Sequence, residues 1–206
     1  MDTAFIVGNG ESRNIFPITE LKDKGTVYGC NAIYRDYPEI CDYIVNSFDK
    51  SNYKKGLLFN NSEPKEIRKV NVQFTDENWI NALVNGYIRF ANCTNFHFDL
   101  SEEDKEPTQV SCYGEGEYYS IHPDFSGDRY SKSHTRKLSL SLQLSAESDY
   151  SGGDLILYHN DEKYIFPKTK GSIFVFDSRL IHEVTEITQG VRYSLVKWYH
   201  GDKPLR

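Results

Sequence analysis

The chain has 206 residues and a formal net charge of −6, long enough to bury a real core as one domain, or as one domain with an extension. That acidic balance speaks against a general nucleic-acid binder or a partner of anionic membranes. Met1-Asp-Thr-Ala-Phe-Ile-Val-Gly8 has an acid at position 2 and no basic stretch, so it does not read as a secretion signal, and no later apolar run reaches the ~18 residues of a membrane span.

Ala4–Val7 reads as a short strand, followed by Gly8-Asn-Gly10-Glu-Ser12-Arg13. A strand entering a Gly-rich turn can aim backbone N–H groups at phosphate, but this is neither a dinucleotide fingerprint nor a Walker loop. Two more strand-like runs follow, Thr26–Cys30 and Tyr43–Phe48. With Tyr28-Gly-Cys-Asn-Ala-Ile-Tyr-Arg-Asp36, the Gly8–Arg13 start resembles a segment at the front of some phage-encoded and glycan-related proteins. Residues 1–60 are expected to form a small α/β extension ending in a Ser/Asn/Lys/Gly-rich linker over Lys50–Pro64.

Thr75-Asp-Glu-Asn-Trp79 opens a helix, with Thr75 as expected N-cap and acids in its first turn. Trp79, Leu83 and Tyr87 follow i, i+4 spacing, with Ile80, Val84, Ile88 and Ala91 alongside, so an apolar face should pack on a sheet. Phe96, Phe98 and Leu100 alternate with His97 and Asp99, which points that His-x-Asp pair away from the apolar face. Residues 101–107 read as a polar loop.

From Gln109 the chain is β-rich. Eight runs are separated by short Gly or polar turns: Gln109–Tyr113, Tyr118–Asp124, Arg136–Ser145, Asp154–Tyr158, Lys163–Pro167, Ser172–Phe176, His182–Ile187 and Val191–Tyr199. The spacing predicts a double-sheet jelly roll with a cavity between the sheets. The expected class is therefore α+β: a double-stranded β-helix over 61–206 with supporting helices, preceded by the extension. Cys30, Cys41, Cys93 and Cys112 lack C-x-x-C spacing and read as free thiols of a reducing cytoplasm.

Four His-x-Asp pairs occur, at His97/Asp99, His122/Asp124, His159/Asp161 and His200/Asp202. Residues two apart on a strand share a face, so such a pair can grip one metal ion, and a second imidazole would complete the facial triad of non-heme Fe(II) oxygenases. His159-Asn160-Asp161 has hairpin-turn composition, and His200 follows the last strand. His122 and Asp124 enter the β-shell early, with a strand histidine, His182, well downstream.

Tyr113-x-x-Gly116-x-x-Tyr119-x-x-His122-x-Asp124 resembles the opening of the Fe(II)/2-oxoglutarate-dependent dioxygenases, prolyl 4-hydroxylase branch. The match continues in order through Arg136–Ser145, Asp149–Leu155, Gly171–Ser178, Ile181-His182-Glu-Val184 and Gly190-Val-Arg192-Tyr-Ser194-Leu-Val-Lys-Trp198. It covers 109–201, and the helix around Trp79 is similar to the family's support helix, reaching back to about residue 64. The resemblance implies Fe(II) on His122, Asp124 and His182, with 2-oxoglutarate and O₂ on the remaining positions and ascorbate available as reductant. It implies Arg192 and Ser194 on the distal carboxylate of 2-oxoglutarate, Tyr113 pointing into the site, and Trp198, Arg136 and Tyr119 on the substrate side. Gln143 departs from relatives that carry an aromatic there, and Asp124 departs from halogenating relatives, which carry a small residue. Residues 125–135 are a candidate lid.

The implied reaction hydroxylates an unactivated C–H bond while 2-oxoglutarate is converted to succinate and CO₂. A peptidyl proline, on a peptide or protein partner, is the lead substrate. The same chemistry on a free amino acid or other small molecule, or a non-catalytic β-shell binding module, stand as alternatives.

Overall fold

Leu138-Ser-Leu-Ser-Leu-Gln-Leu144 alternates apolar and polar side chains, and the fold uses both faces of that strand. The structure, a computed structural model, describes residues 5–6, 27–28, 39–47, 50–56, 67–102, 106–125 and 135–201. The Gly8–Arg13 turn, Cys30 and most of the candidate lid lie outside these residues.

In chain order the elements are β1 (Phe5–Ile6), β2 (Val27–Tyr28), α1 (Ile40–Ser47), β3 (Lys54–Lys55), β4 (Arg68–Lys69), β5 (Asn71–Thr75) and α2 (Asn78–Ala91). Then come β6 (Thr108–Tyr113), β7 (Tyr118–Pro123), β8 (Thr135–Gln143), β9 (Tyr150–Gly152), β10 (Leu155–His159), β11 (Glu162–Ile165), β12 (Ile173–Asp177), β13 (Ile181–Val184), β14 (Ile187–Gly190) and β15 (Arg192–Gly201). A six-stranded sheet runs β12-β8-β15-β6-β5-β3, and a five-stranded sheet runs β11-β10-β13-β7-β4. β14 pairs with β9, and β1 pairs in parallel with β2. This is the double-sheet shell that the strand spacing predicts.

Two cores follow from the alternation. Leu138, Leu140 and Leu142 of β8 are fully buried in a cluster with Ile80, Val84 and Ile88 of α2 and Cys41 and Ile44 of α1. Burial of each such leucine contributes about 2 kcal/mol. A second cluster, with Val72, Tyr113, Leu157, Phe174, Phe176 and Val184, draws on strands of both sheets. The alternate β8 positions Ser139, Ser141 and Gln143 are buried too, so one strand faces an oily layer on one side and a polar interior on the other.

Several sequence expectations need correction. Tyr43–Phe48, strand-like by composition, lies largely in helix α1: Cys41 and Ile44, three apart, reach the core together, a spacing that a helix satisfies and a strand does not. The Lys50–Pro64 linker contains β3, which pairs with β5. The N-cap of α2 is Glu77, and Thr75 instead accepts a hydrogen bond from the Glu77 N–H at 3.2 Å. The buried stripe of α2 is Ile80, Val84, Ile88 and Ala91, while Trp79 is 36% exposed and packs edge-on against Tyr43.

Residues 96–100 are not a strand either. α2 passes into a π-turn over Asn92–Phe96, and His97 takes a left-handed conformation at φ 52°. The Asn92 side chain stabilises this exit by accepting from the Phe98 N–H at 2.8 Å and donating to the Phe98 carbonyl at 2.9 Å. The His182–Ile187 run divides into β13 and the start of β14, and β9, which has no counterpart in the sequence reading, pairs with β14. Asn160 and Asp161 have φ of 50° and 64° at the β10–β11 connection, the mirror-turn geometry their composition predicts.

Candidate metal centre and co-substrate cavity

β7 and β13 are antiparallel neighbours in a register that sets His122 directly opposite His182. Their ring centroids lie 4.2 Å apart. Asp124 follows two residues after His122, and its carboxylate oxygens approach the two imidazoles: Oδ1 is 3.6 Å from His122 Nε2, and Oδ2 is 3.5 Å from His182 Nε2. All three donor groups fall within 4.8 Å of one another. Two ligands at right angles with ~2.1 Å bonds would sit about 3 Å apart, so the spacing is that of donors around one ion, slightly open.

The imidazoles are oriented for this. His122 Nδ1 lies 2.7 Å from the Ser120 carbonyl, and His182 Nδ1 lies 3.0 Å from the Leu180 carbonyl. A carbonyl can only accept, so each Nδ1 carries the proton and each Nε2 presents its lone pair toward Asp124. Burial would raise the Asp124 pKa, but His182 and His122, aided by Ser139, outweigh it and hold the carboxyl well below the usual range. Burial pushes the His182 pKa down, against the opposing pull of Asp124. Both shifts favour the protonation states that bind a metal, ionised carboxylate and neutral imidazole.

A cavity opens onto this centre, lined by the triad, Tyr113, Tyr119, Phe176, Arg192, Trp198 and further residues of both sheets. Arg192 is 2% exposed, and its Nη1 donates to Ser194 Oγ at 3.2 Å while its Nε has no hydrogen-bond partner. No carboxylate pairs with it among the described residues. A buried guanidinium without a counter-anion is costly, so the donor set fits a ligand carboxylate at this end of the cavity. The donors suit both groups that the resemblance implies: two imidazoles and a carboxylate for Fe(II), and a guanidinium with a hydroxyl for 2-oxoglutarate.

The remaining sequence-predicted residues fall in different places. Tyr113 is the register partner of Arg192, with the guanidinium 5.5 Å from its ring centroid. Burial raises its phenol pKa, with Arg68 and Arg192 opposing. Tyr119 stacks on His122 at 3.4 Å between centroids, and burial pushes its pKa up to about 12. Trp198 lines the cavity with a buried, unpartnered Nε1.

Arg136 does not line the cavity. Its guanidinium lies 3.9 Å over the Trp198 ring and is paired with Glu106. Gln143, opposite Ser194 in the sheet, donates to Tyr150 Oη at 2.9 Å and to the Ser145 carbonyl at 3.1 Å. Its amide is engaged there, so the polar departure from the family aromatic is internally satisfied. Phe176 and Arg68 are among the cavity residues that the sequence does not single out. Phe176 meets the His182 ring edge-on at 4.9 Å and sits inside a run already matched, where a strand-face argument could have found it. Arg68 carries no such signal.

The comparisons with known proteins agree with this geometry. Residues 108–200 match the model of the 2OG-Fe(II) oxygenase superfamily. A PKHD-type hydroxylase of Synechococcus sp. (strain JA-2-3B'a(2-13)) is 32% identical over 91 residues, 43% of this chain and 40% of the relative. One from Idiomarina loihiensis is 29% identical over 89 residues, 43% of this chain and 39% of the relative. The matched segment thus spans about two-fifths of these relatives' length. In fold, the chain is similar to a Pseudomonas putida prolyl-4-hydroxylase, with TM-score 0.63 at 20% identity, covering 81% of this chain and 86% of that one. It is also similar to a Trichoplax adhaerens prolyl hydroxylase in complex with a hypoxia inducible factor peptide fragment, with TM-score 0.62 at 20% identity, covering 82% and 79%. In its ordered motifs, its double-stranded β-helix and the His122/Asp124/His182 donor set, the segment 108–200 is similar to the 2OG-Fe(II) oxygenase superfamily whose model it matches.

Proposed function

We propose that this chain is an Fe(II)/2-oxoglutarate-dependent dioxygenase that hydroxylates a proline in a peptide or protein. The observation that carries the reading is the pairing of an open three-donor centre with a buried, uncompensated Arg192 in the same cavity. A non-catalytic module would have no use for that combination. The prolyl part of the reading is supported by the fold shared with prolyl hydroxylases.

His122 and His182 would hold the iron through Nε2 and Asp124 through a carboxylate oxygen, leaving three positions of an octahedral ion for small ligands. When bound, iron with 2-oxoglutarate and O₂ supplies the oxidation of a C–H bond to an alcohol, with release of succinate and CO₂. The protein's share is positioning. Arg192 and Ser194 would take the distal carboxylate of the co-substrate, as a planar fork and a hydroxyl suit. The Ser120 and Leu180 carbonyls fix the two imidazoles. Phe176, Leu155 and Val184 supply apolar wall and limit water near the centre.

The test is turnover by the full chain with Fe(II), 2-oxoglutarate, ascorbate and proline-containing peptides. Succinate release stimulated by peptide, with one oxygen atom added at proline by mass spectrometry, is expected. Succinate release stimulated by a free amino acid but by no peptide would transfer the reading to a small-molecule hydroxylase.

A further inference from the structure

Among the described cavity residues, two carry a permanent positive charge, Arg192 and Arg68, and the co-substrate accounts for only the first. Arg68 belongs to β4, the short strand that closes the five-stranded sheet, where it is the register partner of Tyr119. Its guanidinium carbon lies 4.7 Å from the Tyr119 ring centroid. Beside it is Gly56, where an added Cβ would come within 3.0 Å of Arg68 Cζ and of Nε. The Gly56 N–H is fixed to the Val70 carbonyl at 2.9 Å. The guanidinium is thus packed between an aromatic ring and bare backbone, a slot that glycine at 56 leaves open.

That slot supplies no anion. Arg68 Nε is buried without a hydrogen-bond partner, and among the described residues no carboxylate forms an ion pair with Arg68. Arg136 and Arg179, by contrast, are paired with Glu106 and Asp177. The Arg68 charge also opposes the upward shifts of the Tyr113 and Tyr119 phenols. A positioned fork with unused donors fits a carboxylate better than a neutral group. Arg192 would take the distal carboxylate of 2-oxoglutarate and the metal its other end, so the anion left for Arg68 comes from the substrate.

We propose that Arg68 is a specificity-determining residue that recognises a carboxylate borne by the substrate close to the proline presented to the metal. This rests on the prolyl hydroxylase reading above. The carboxylate has two sources, an acidic side chain flanking the proline or the α-carboxylate of a C-terminal or free proline. Either is held by the same fork.

The test uses the full chain loaded with Mn(II) and 2-oxoglutarate, titrated calorimetrically so that binding is read without turnover. The probes are a neutral blocked Ala-Pro-Ala peptide, blocked Glu-Pro-Ala and Ala-Pro-Glu peptides, an Ala-Ala-Pro peptide with a free C-terminus, and L-proline. At least one carboxylate-bearing probe should bind about tenfold or more tightly than the neutral peptide at low salt, and which one does so identifies the source. In Arg68→Gln that advantage should collapse to less than about threefold, and Arg68→Lys should restore part of it. Gly56→Ala, which presses on the guanidinium, should shrink it. Affinity for 2-oxoglutarate in Arg68→Gln should stay within about twofold of wild type, which also reports that the variant is folded.

Equal binding of neutral and acidic probes by the wild type overturns the proposal alone, leaving prolyl hydroxylation intact. So does equal weakening of all probes by Arg68→Gln, or a loss of 2-oxoglutarate affinity in a variant that still binds Mn(II), which would reassign Arg68 to the co-substrate. A wild type that binds Mn(II) and 2-oxoglutarate but none of the proline probes removes the prolyl reading and this proposal with it.

Discussion

His122 and His182 are direct cross-strand partners, with ring centroids 4.2 Å apart across β7 and β13. Their approach depends on sheet register, and the pairing shifts between His182 and Val184. A one-residue slip would turn one imidazole to the opposite face of the sheet. The candidate metal centre is therefore a property of strand pairing as much as of the three side chains.

The metal-free protein should lose stability as pH falls through the range where histidine titrates. The folded-state pKa of His182 is depressed by burial, so below its ordinary value of about 6.5 the unfolded chain binds the proton more readily. The contribution of neutral His182 is complete above that value and is lost on acidification. Asp124, also depressed, adds a second loss below its ordinary carboxylate range. Each unit of depression corresponds to about 1.4 kcal/mol. Thermal melts of metal-free wild type and His182→Asn between pH 7.5 and 5 check this: the melting temperature of the wild type should fall more steeply, and parallel profiles would contradict it.

Leu142→Ala should destabilise the fold without altering the centre. Leu142 is fully buried in the cluster that includes α1 and α2, and such a truncation costs about 2–5 kcal/mol. Urea unfolding should show the midpoint moving down with an unchanged slope, while the metal stoichiometry stays at the wild-type value.

Two glycines should respond to alanine in opposite directions. At Gly152, φ is +73° and a Cβ would meet the Glu186 carbonyl oxygen at 2.1 Å. Backbone must move, so Gly152→Ala should cost about 2 kcal/mol or more. Gly86 in α2 is exposed, and a Cβ there meets nothing within 4 Å. Gly86→Ala should stabilise by about 0.5–1 kcal/mol. Differential scanning calorimetry of the two variants separates them by sign.

Trp198→Phe tests the indole Nε1, which is buried on the cavity wall without a partner. Phenylalanine preserves an aromatic surface for Arg136 to cover but removes the N–H. If the N–H serves a bound group, affinity for that group should fall by about 5–10-fold, the worth of one hydrogen bond, with metal affinity unchanged. Titrating Trp198→Phe with 2-oxoglutarate and then peptide shows which ligand uses it. No change for either would leave Trp198 an apolar wall only.

The triad was legible because its parts obey local rules. His122 and Asp124 sit two apart at the end of a strand, His159-Asn160-Asp161 has the composition of the left-handed turn it forms, and Arg192, Ser194 and Trp198 share one parity on β15. Tyr43–Phe48 misleads because β-branched and aromatic residues favour strand locally, whereas Cys41 and Ile44 gain more by reaching one core as a helical pair. The exit from α2 depends on a single Asn92 side chain bonding to Phe98, which no periodicity announces. Arg68 was invisible for a similar reason. It lies in a two-residue strand and enters the cavity only through its pairing with Tyr119 and its slot beside Gly56, contacts that exist only after folding.

The most direct measurement is an anaerobic titration with Fe(II) and then 2-oxoglutarate, comparing wild type, His182→Ala and Arg192→Ala. Wild type should bind one Fe(II) and then 2-oxoglutarate, with a visible charge-transfer band on addition of the second. His182→Ala should lose iron. Arg192→Ala should keep iron and lose about 30-fold or more in 2-oxoglutarate affinity, as expected for a buried charge-assisted pair. A correctly folded wild type that binds neither ligand, or an Arg192→Ala variant that binds 2-oxoglutarate as tightly as wild type, would contradict it.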